Sequence, residues 1–155
     1  KAIVSVGYPI PQKKILISSG DAYQKTDLLE ACRTLTEKGF ELYATDGSQR
    51  YLEENGVPAV RVLWPSEIQQ NQELAKQFPS ALSLIQEKEV DLVINIPKNY
   101  TPVELENGYK IRRAAVDFNI PLITNARLAT AFVRAFCSES IDEISIKSSD
   151  EYTLN

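Results

Sequence analysis

The run Asp91-Leu92-Val93-Ile94-Asn95-Ile96, closed by Pro97, constrains the fold more than any other stretch of the chain. It is short and almost continuously apolar. A strand with one face in water would alternate between apolar and polar residues, and this one does not. It therefore reads as a central strand of a parallel sheet with helices over both faces. The rest of the sequence supplies the partners. Strand patterns fall at 14–18, 40–45, 58–63 and 121–124, and helix patterns at 26–38, 48–55, 80–88, 109–118 and 126–137. Leu28, Cys32 and Leu35 share a face of the first helix, Leu82 and Ile85 point inward from the third, and Ile111, Ala115 and Phe118 from the fourth. Leu128, Ala129, Phe132, Val133 and Phe136 are expected to point inward from the last. Gly39 and Gly56 read as helix stops. The Gln-rich stretch from Trp64 to Phe78 reads as a long loop, 98–107 as a second loop, and 141–155 as a polar tail. Strand–helix alternation of this kind implies right-handed crossovers and helices on both faces of the sheet.

Composition narrows the chemistry. The 155 residues suffice for one core, and a net charge of −4 argues against a general nucleic-acid surface while allowing a local anion pocket. No apolar run is long enough to span a bilayer and no secretory signal opens the chain, so a cytoplasmic protein is expected. Histidine is absent, which removes every histidine-based acid, base or metal ligand. The two cysteines, Cys32 and Cys137, lie far apart on the apolar sides of predicted helices. They read as small buried hydrophobes, with no zinc site. No methionine occurs, and the start at Lys1 suggests a domain that works attached to a larger protein.

In an open parallel sheet, ligands bind at the carboxyl ends of the strands. Here those ends are Ser19-Gly20-Asp21, Thr45-Asp46-Gly47-Ser48, Leu63-Trp64, Asn95-Ile96 and Thr124-Asn125. Ala44-Thr45-Asp46-Gly47-Ser48 is the sharpest of them. A strand gives way to a helix within three residues, Gly47 admits a close backbone approach, and Ser48 is expected to cap the helix. The free N–H groups of such a helix start attract an anion. Lys25, at the mouth of the first crossover, could add a full charge. Asp21 and Asp46 read as turn and cap residues rather than a catalytic pair, and Ser18 and Ser19 lack the context of a hydrolase nucleophile. Arg112-Arg113 reads as a solvated face, with one arginine available to anchor a carboxylate. Trp64 sits where a ligand would stack.

Five strings in order carry a resemblance: Leu28-Leu29-Glu30-Ala31, Gly39-Phe40-Glu41-Leu42-Tyr43-Ala44-Thr45, Asp91 to Pro97, Tyr109-Lys110-Ile111-Arg112-Arg113-Ala114-Ala115-Val116-Asp117, and Ile120-Pro121-Leu122-Ile123-Thr124-Asn125. Together they resemble the regulatory domain of carbamoyl-phosphate synthetase large chains, a branch of the methylglyoxal-synthase-like superfamily, over about residues 8–138. The resemblance implies a Rossmann-like three-layer α/β/α sandwich with a five-stranded parallel sheet in the order 3-2-1-4-5. It implies a lead-in at 1–12 from a preceding ATP-grasp half, the regulatory domain at 13–140 and a tail at 141–155.

For the site, the resemblance implies a phosphate or carboxylate held by Lys25, Thr45 and Ser48, with Gly47 in the turn. Members that bind nucleotide monophosphates carry a lysine where this chain has Trp64. A tryptophan there resembles members activated by N-acetylglutamate and multifunctional pyrimidine-pathway members regulated by uridine nucleotides. Asn95 matches one asparagine of the acetylglutamate type, whereas Lys98 and Gly108 replace two others. The implied role is that of an allosteric domain, with no catalytic residue, metal or cofactor of its own. It would serve a ligase that uses ATP with Mg or Mn and works with a glutaminase small subunit, in arginine or pyrimidine biosynthesis. The alternative is a free-standing methylglyoxal-synthase-like lyase. That enzyme needs a G-G-D segment after the third strand and a histidine after the fourth, and neither is present here.

Overall fold

The computed structural model of the chain describes residues 14–19, 22–97 and 101–138, the side chains of 22–27 and 136–138 excepted. The expected lead-in at 1–12, the tail at 141–155, Cys137 and Lys98 lie outside the described positions or side chains. Five strands form one sheet: β1 Lys14–Ser18, β2 Glu41–Thr45, β3 Val60–Val62, β4 Leu92–Asn95 and β5 Leu122–Ile123. Their order is β3-β2-β1-β4-β5 and every pairing is parallel, as expected. The helices between them are α1 Ala22–Glu37, α2 Asp46–Glu54, α3 Pro65–Gln70, α4 Gln72–Gln77, α5 Ala81–Gln86, α6 Pro102–Asp117 and α7 Ala126–Ser138.

Alternation along the central strands separates two cores. Ile15 and Ile17 of β1, with Leu92 and Ile94 of β4, pack under Leu28, Cys32 and Leu35 of α1, Leu52 of α2, and Ala129 and Val133 of α7. Leu16 and Val93 face the opposite way, onto Ala81, Leu84 and Ile85 of α5 and Ile111, Ala114 and Ala115 of α6. Neither face of β1 or β4 meets water, which is why their sequences do not alternate. Gly39 and Gly56 both adopt the left-handed backbone that ends a helix, at φ 93° and 79°. Lys88 and Asn119 take the same conformation, at φ 54° and 59°, in the turns after α5 and α6.

Three expectations are corrected. The stretch after β3 is two short helices, α3 and α4, rather than a loop. Pro65 opens α3, the Glu67 carboxylate accepts from the Trp64 backbone N–H at 2.9 Å, and the Asn71 side chain accepts from Glu73 N at 3.0 Å at the start of α4. The excursion leaves and rejoins the sheet at one neck, where Leu63 bridges Ser80 in parallel. The expected loop at 98–107 is already helical from Pro102. The Thr101 hydroxyl accepts from Glu104 N at 3.4 Å and Pro102 stands where no N–H is needed. Leu128, expected inward, is 57% exposed: Ala129 and Val133 take the buried side of α7.

Cys32 is 1% exposed and burial pushes its thiol up to about 12. At pH 8 it is therefore expected to resist a thiol reagent in the native state and to react once urea unfolds the chain, which mass mapping of the labelled cysteine reads. Leu35→Ala should cost about 2–5 kcal/mol in urea unfolding because Leu35 is enclosed in the α1 core. Leu128→Ala should change stability by only about 0.5 kcal/mol, being at the surface.

Candidate functional site

Six polar residues among those described are buried: Ser18, Ser19, Thr45, Ser48, Asn95 and Asn107. The first five line one partly open cavity of about 100 Å³ at the carboxyl edge of the sheet. Buried polar groups are costly unless they are paired, so their concentration at this edge marks the site. The topology puts them there. β1 lies between β2 and β4, Ser18 stands opposite Asn95, and the Thr45 hydroxyl donates to the Ser18 hydroxyl at 3.3 Å.

The Thr45–Ser48 turn differs from expectation in one respect. Helix α2 begins at Asp46, so Thr45 is the residue before the helix and Ser48 lies within its first turn. Ser48 does not cap. Its Oγ accepts from the backbone N–H of Ser19 at 3.0 Å and ties the α2 start to the end of β1. Thr45 makes no side-chain cap either, since its hydroxyl is turned to Ser18. The first N–H groups of a helix have no partner within it. Among the described residues no side chain takes them up, and Gly47 brings that backbone to the cavity wall without a side chain. A helix start of this kind is suited to receive an anion. The Ser19 Oγ, closed off from water, also has no hydrogen-bond partner among the described residues.

Thr45, Gly47, Ser48, Trp64 and Asn95 thus line the same cavity. Lys25 lies on α1 with its side chain outside the description, and Lys98 is outside it altogether. Asp46 pairs with Arg50 at 2.9 Å and Arg61 at 3.7 Å, so it serves structure rather than a catalytic pair. Two charged residues of the cavity wall escaped sequence reasoning. Arg112, read as part of a solvated face, is half-buried, lines the cavity and donates to the Asn95 Oδ1 at 2.8 Å. Glu104 also lines it, with one carboxylate oxygen closed from water and without a partner among the described residues. The signal that could have found both is Thr101-Pro102-Val103-Glu104, a helix-start pattern that moves the α6 start back to Pro102. With α6 starting there, Glu104, Gly108 and Arg112 recur every four residues along one side of the helix.

Comparison with known proteins now bears on this geometry. Residues 27–124 match the model of the MGS-like domain family. The chain belongs to the MGS-like domain family. Over 135 residues, 87% of its length, it is 42% identical to the mitochondrial carbamoyl-phosphate synthase [ammonia] of Homo sapiens, covering 9% of that protein. Over 141 residues, again 87% of the chain, it is 36% identical to the multifunctional protein CAD of Squalus acanthias, covering 6% of that protein. The MGS-like chain thus spans less than a tenth of the length of these relatives. Among solved structures it resembles methylglyoxal synthase from Elizabethkingia anophelis NUHP1 with a TM-score of 0.53 and 20% identity, covering 80% of this chain and 79% of that one. That likeness concerns the fold alone. Among the described residues, no helix is long and apolar enough to cross a membrane.

In this MGS-like domain Trp64 is held from two sides. The Glu67 carboxylate accepts from its backbone N–H and also pairs with Arg61 of β3 at 3.0 Å. Next along the chain, Ser66 and Asn107 exchange two hydrogen bonds: Ser66 N donates to Asn107 Oδ1 at 3.1 Å, and Asn107 Nδ2 donates to Ser66 Oγ at 2.8 Å. Asn107 is 4% exposed, and its loss leaves the half-buried Ser66 N–H and hydroxyl without these partners. Asn107→Ala is expected to cost about 1–3 kcal/mol in urea unfolding and to shift the emission of Trp64, the only tryptophan, to the red as its elbow loosens. Unchanged stability and emission would show that Asn107 does not hold the Trp64 elbow.

Proposed function

We propose that this domain binds a small anionic effector at the carboxyl edge of its sheet and thereby regulates a carbamoyl-phosphate synthetase of which it is a part. One observation carries the reading. Five buried polar residues converge on the cavity into which the helix start of α2, claimed by no side chain among the described residues, opens. This supports an anion held by backbone N–H groups, with Thr45 and Ser48 beside it; Lys25 of α1 is the proposed counter-charge. Trp64 in the cavity wall offers a flat apolar face and one N–H donor. An effector with an anionic end and a flat or apolar part fits both features. UMP, IMP, UTP and N-acetylglutamate all have that character, and the absence of the acetylglutamate-type asparagines at Lys98 and Gly108 favours a nucleotide.

The similarity to segments of carbamoyl-phosphate synthase and of CAD supports the parent enzyme. Its ATP-grasp halves and glutaminase would be the partners in arginine or pyrimidine supply, in the cytoplasm, with ATP and its metal bound outside this domain. Occupancy here would bias one of two parent conformations, which requires that the effector bind those states unequally. The lyase reading rests on fold likeness only, and the chain contains no histidine to match that enzyme's requirement.

Thr45→Ala should weaken effector binding about tenfold or more, since a hydrogen bond to a charged group is worth about 1.5–3 kcal/mol. Calorimetric titration with the four compounds checks it, and unchanged affinity for the compound that binds would remove the site from this turn. In the same titrations the emission of Trp64 should change with the true effector alone. In the parent enzyme, deletion of this domain should leave synthesis possible and abolish the effector response. A folded truncated enzyme that still responds would contradict the regulatory role.

A further inference from the structure

The cavity holds a second recognition element, across the sheet edge from the Thr45–Ser48 turn. Three described arginines are half-buried: Arg33, Arg61 and Arg112. Arg33 pairs with Glu30 at 2.7 Å, and Arg61 with Glu67 at 3.0 Å. Arg112 has no carboxylate within ion-pair distance among the described residues, although Glu104 lines the same cavity. Its hydrogen-bond partner among the described residues is the neutral Asn95 side chain, at 2.8 Å. A guanidinium carries five N–H donors and a full charge, and one contact to an amide leaves most of that capacity unspent. Its place depends on Gly108, one turn earlier on α6. A Cβ at that position would stand 2.8 Å from Arg112 Nη1. Gly108 thus leaves the room in which the guanidinium reaches Asn95.

The spacing from the first element follows from the sheet. Thr45 ends β2, Ser18 ends β1 and Asn95 ends β4, in that spatial order. Two strand spacings separate Thr45 from Asn95, roughly 10 Å between backbones. The α2 start and the Arg112 fork thus reach the cavity from strand ends two spacings apart, a separation that a two-ended ligand bridges.

We propose that Arg112, held by Asn95 and given room by Gly108, is the second anchor of the site, taking a carboxylate or carbonyl oxygen of an effector whose anionic other end sits at the Thr45–Ser48 turn. This rests on the effector-binding reading and narrows it to two-ended ligands: a dicarboxylate, or a nucleotide whose base presents a carbonyl. Substituting Arg112 by lysine keeps the charge and loses the planar fork. Gly108→Ala keeps the arginine and displaces its flexible end, at small cost to the fold.

Calorimetry on the whole chain tests this with UMP and N-acetylglutamate as two-ended probes and inorganic phosphate as the one-ended probe. Thermal melts confirm that each variant is folded. For whichever two-ended probe binds the unaltered protein more tightly, Arg112→Lys and Gly108→Ala should each lower affinity about tenfold. Phosphate affinity should stay within about twofold, because both variants conserve charge at the distance where only the field is felt. Thr45→Ala should weaken both kinds of probe. Folded variants that bind the two-ended probe as the unaltered protein does, or that lose phosphate by the same factor, overturn the second anchor. If Thr45→Ala still weakens binding in that case, the effector site itself stands. If no two-ended compound binds the unaltered protein, IMP and UTP included, the effector reading fails and the second anchor falls with it.

Discussion

The pairing of β1 with β2 on one side and β4 on the other is the constraint on which the rest of the structure depends. It places Ile15, Leu16 and Ile17 at the centre of two cores, so that neither face of the sheet can host a polar site. Polar chemistry is left to the carboxyl edge, where the same register aligns Thr45, Ser18 and Asn95 in a row. Loss of that register would disperse both the cores and the cavity, since a one-residue slip sends each side chain to the opposite face.

Around this row the wall is built from elements held by few, specific polar contacts. Ser48 ties α2 to β1, Glu67 ties the Trp64 elbow to Arg61 of β3, Asn107 ties the same elbow to α6, and Arg112 ties α6 to Asn95. The apolar cores under the sheet set its shape, whereas these contacts set the cavity's. A ligand that engaged the α2 start, Trp64 and Arg112 together would touch α2, the Trp64 elbow and α6 at once.

The fold was largely legible in the sequence because its signals are local and strong. The unbroken apolar run before Pro97, the stops at Gly39 and Gly56, and the 3.6-residue pattern of Leu28, Cys32 and Leu35 each point to one structure. The sheet order came from the resemblance and is matched by the pairings. What was missed depends on contacts distant in sequence or on short elements. α3 and α4 have six residues each and little periodicity, so only their starts, Pro65 with Glu67 and Asn71 with Glu73, announce them. Ser48 has the composition of a cap, yet it binds Ser19, 29 residues away. Leu128 satisfies a helical apolar pattern that Ala129 and Val133 satisfy better. In the site, Thr45, Gly47, Ser48, Trp64 and Asn95 could be placed by strand ends alone. Arg112 could not, because its reach to Asn95 depends on the empty space at Gly108.

The central claim is that one ligand bridges the α2 start and the far side of the cavity. Backbone and side-chain NMR of the labelled chain during titration with UMP and with N-acetylglutamate addresses it most directly. The account predicts that, for the compound that binds, the amides of Gly47 and Ser48, the indole N–H of Trp64 and the Nε–H of Arg112 shift together along one saturating curve. Shifts confined to other parts of the chain, or a saturating response at the Thr45–Ser48 turn that leaves Trp64 and Arg112 unmoved, would contradict it.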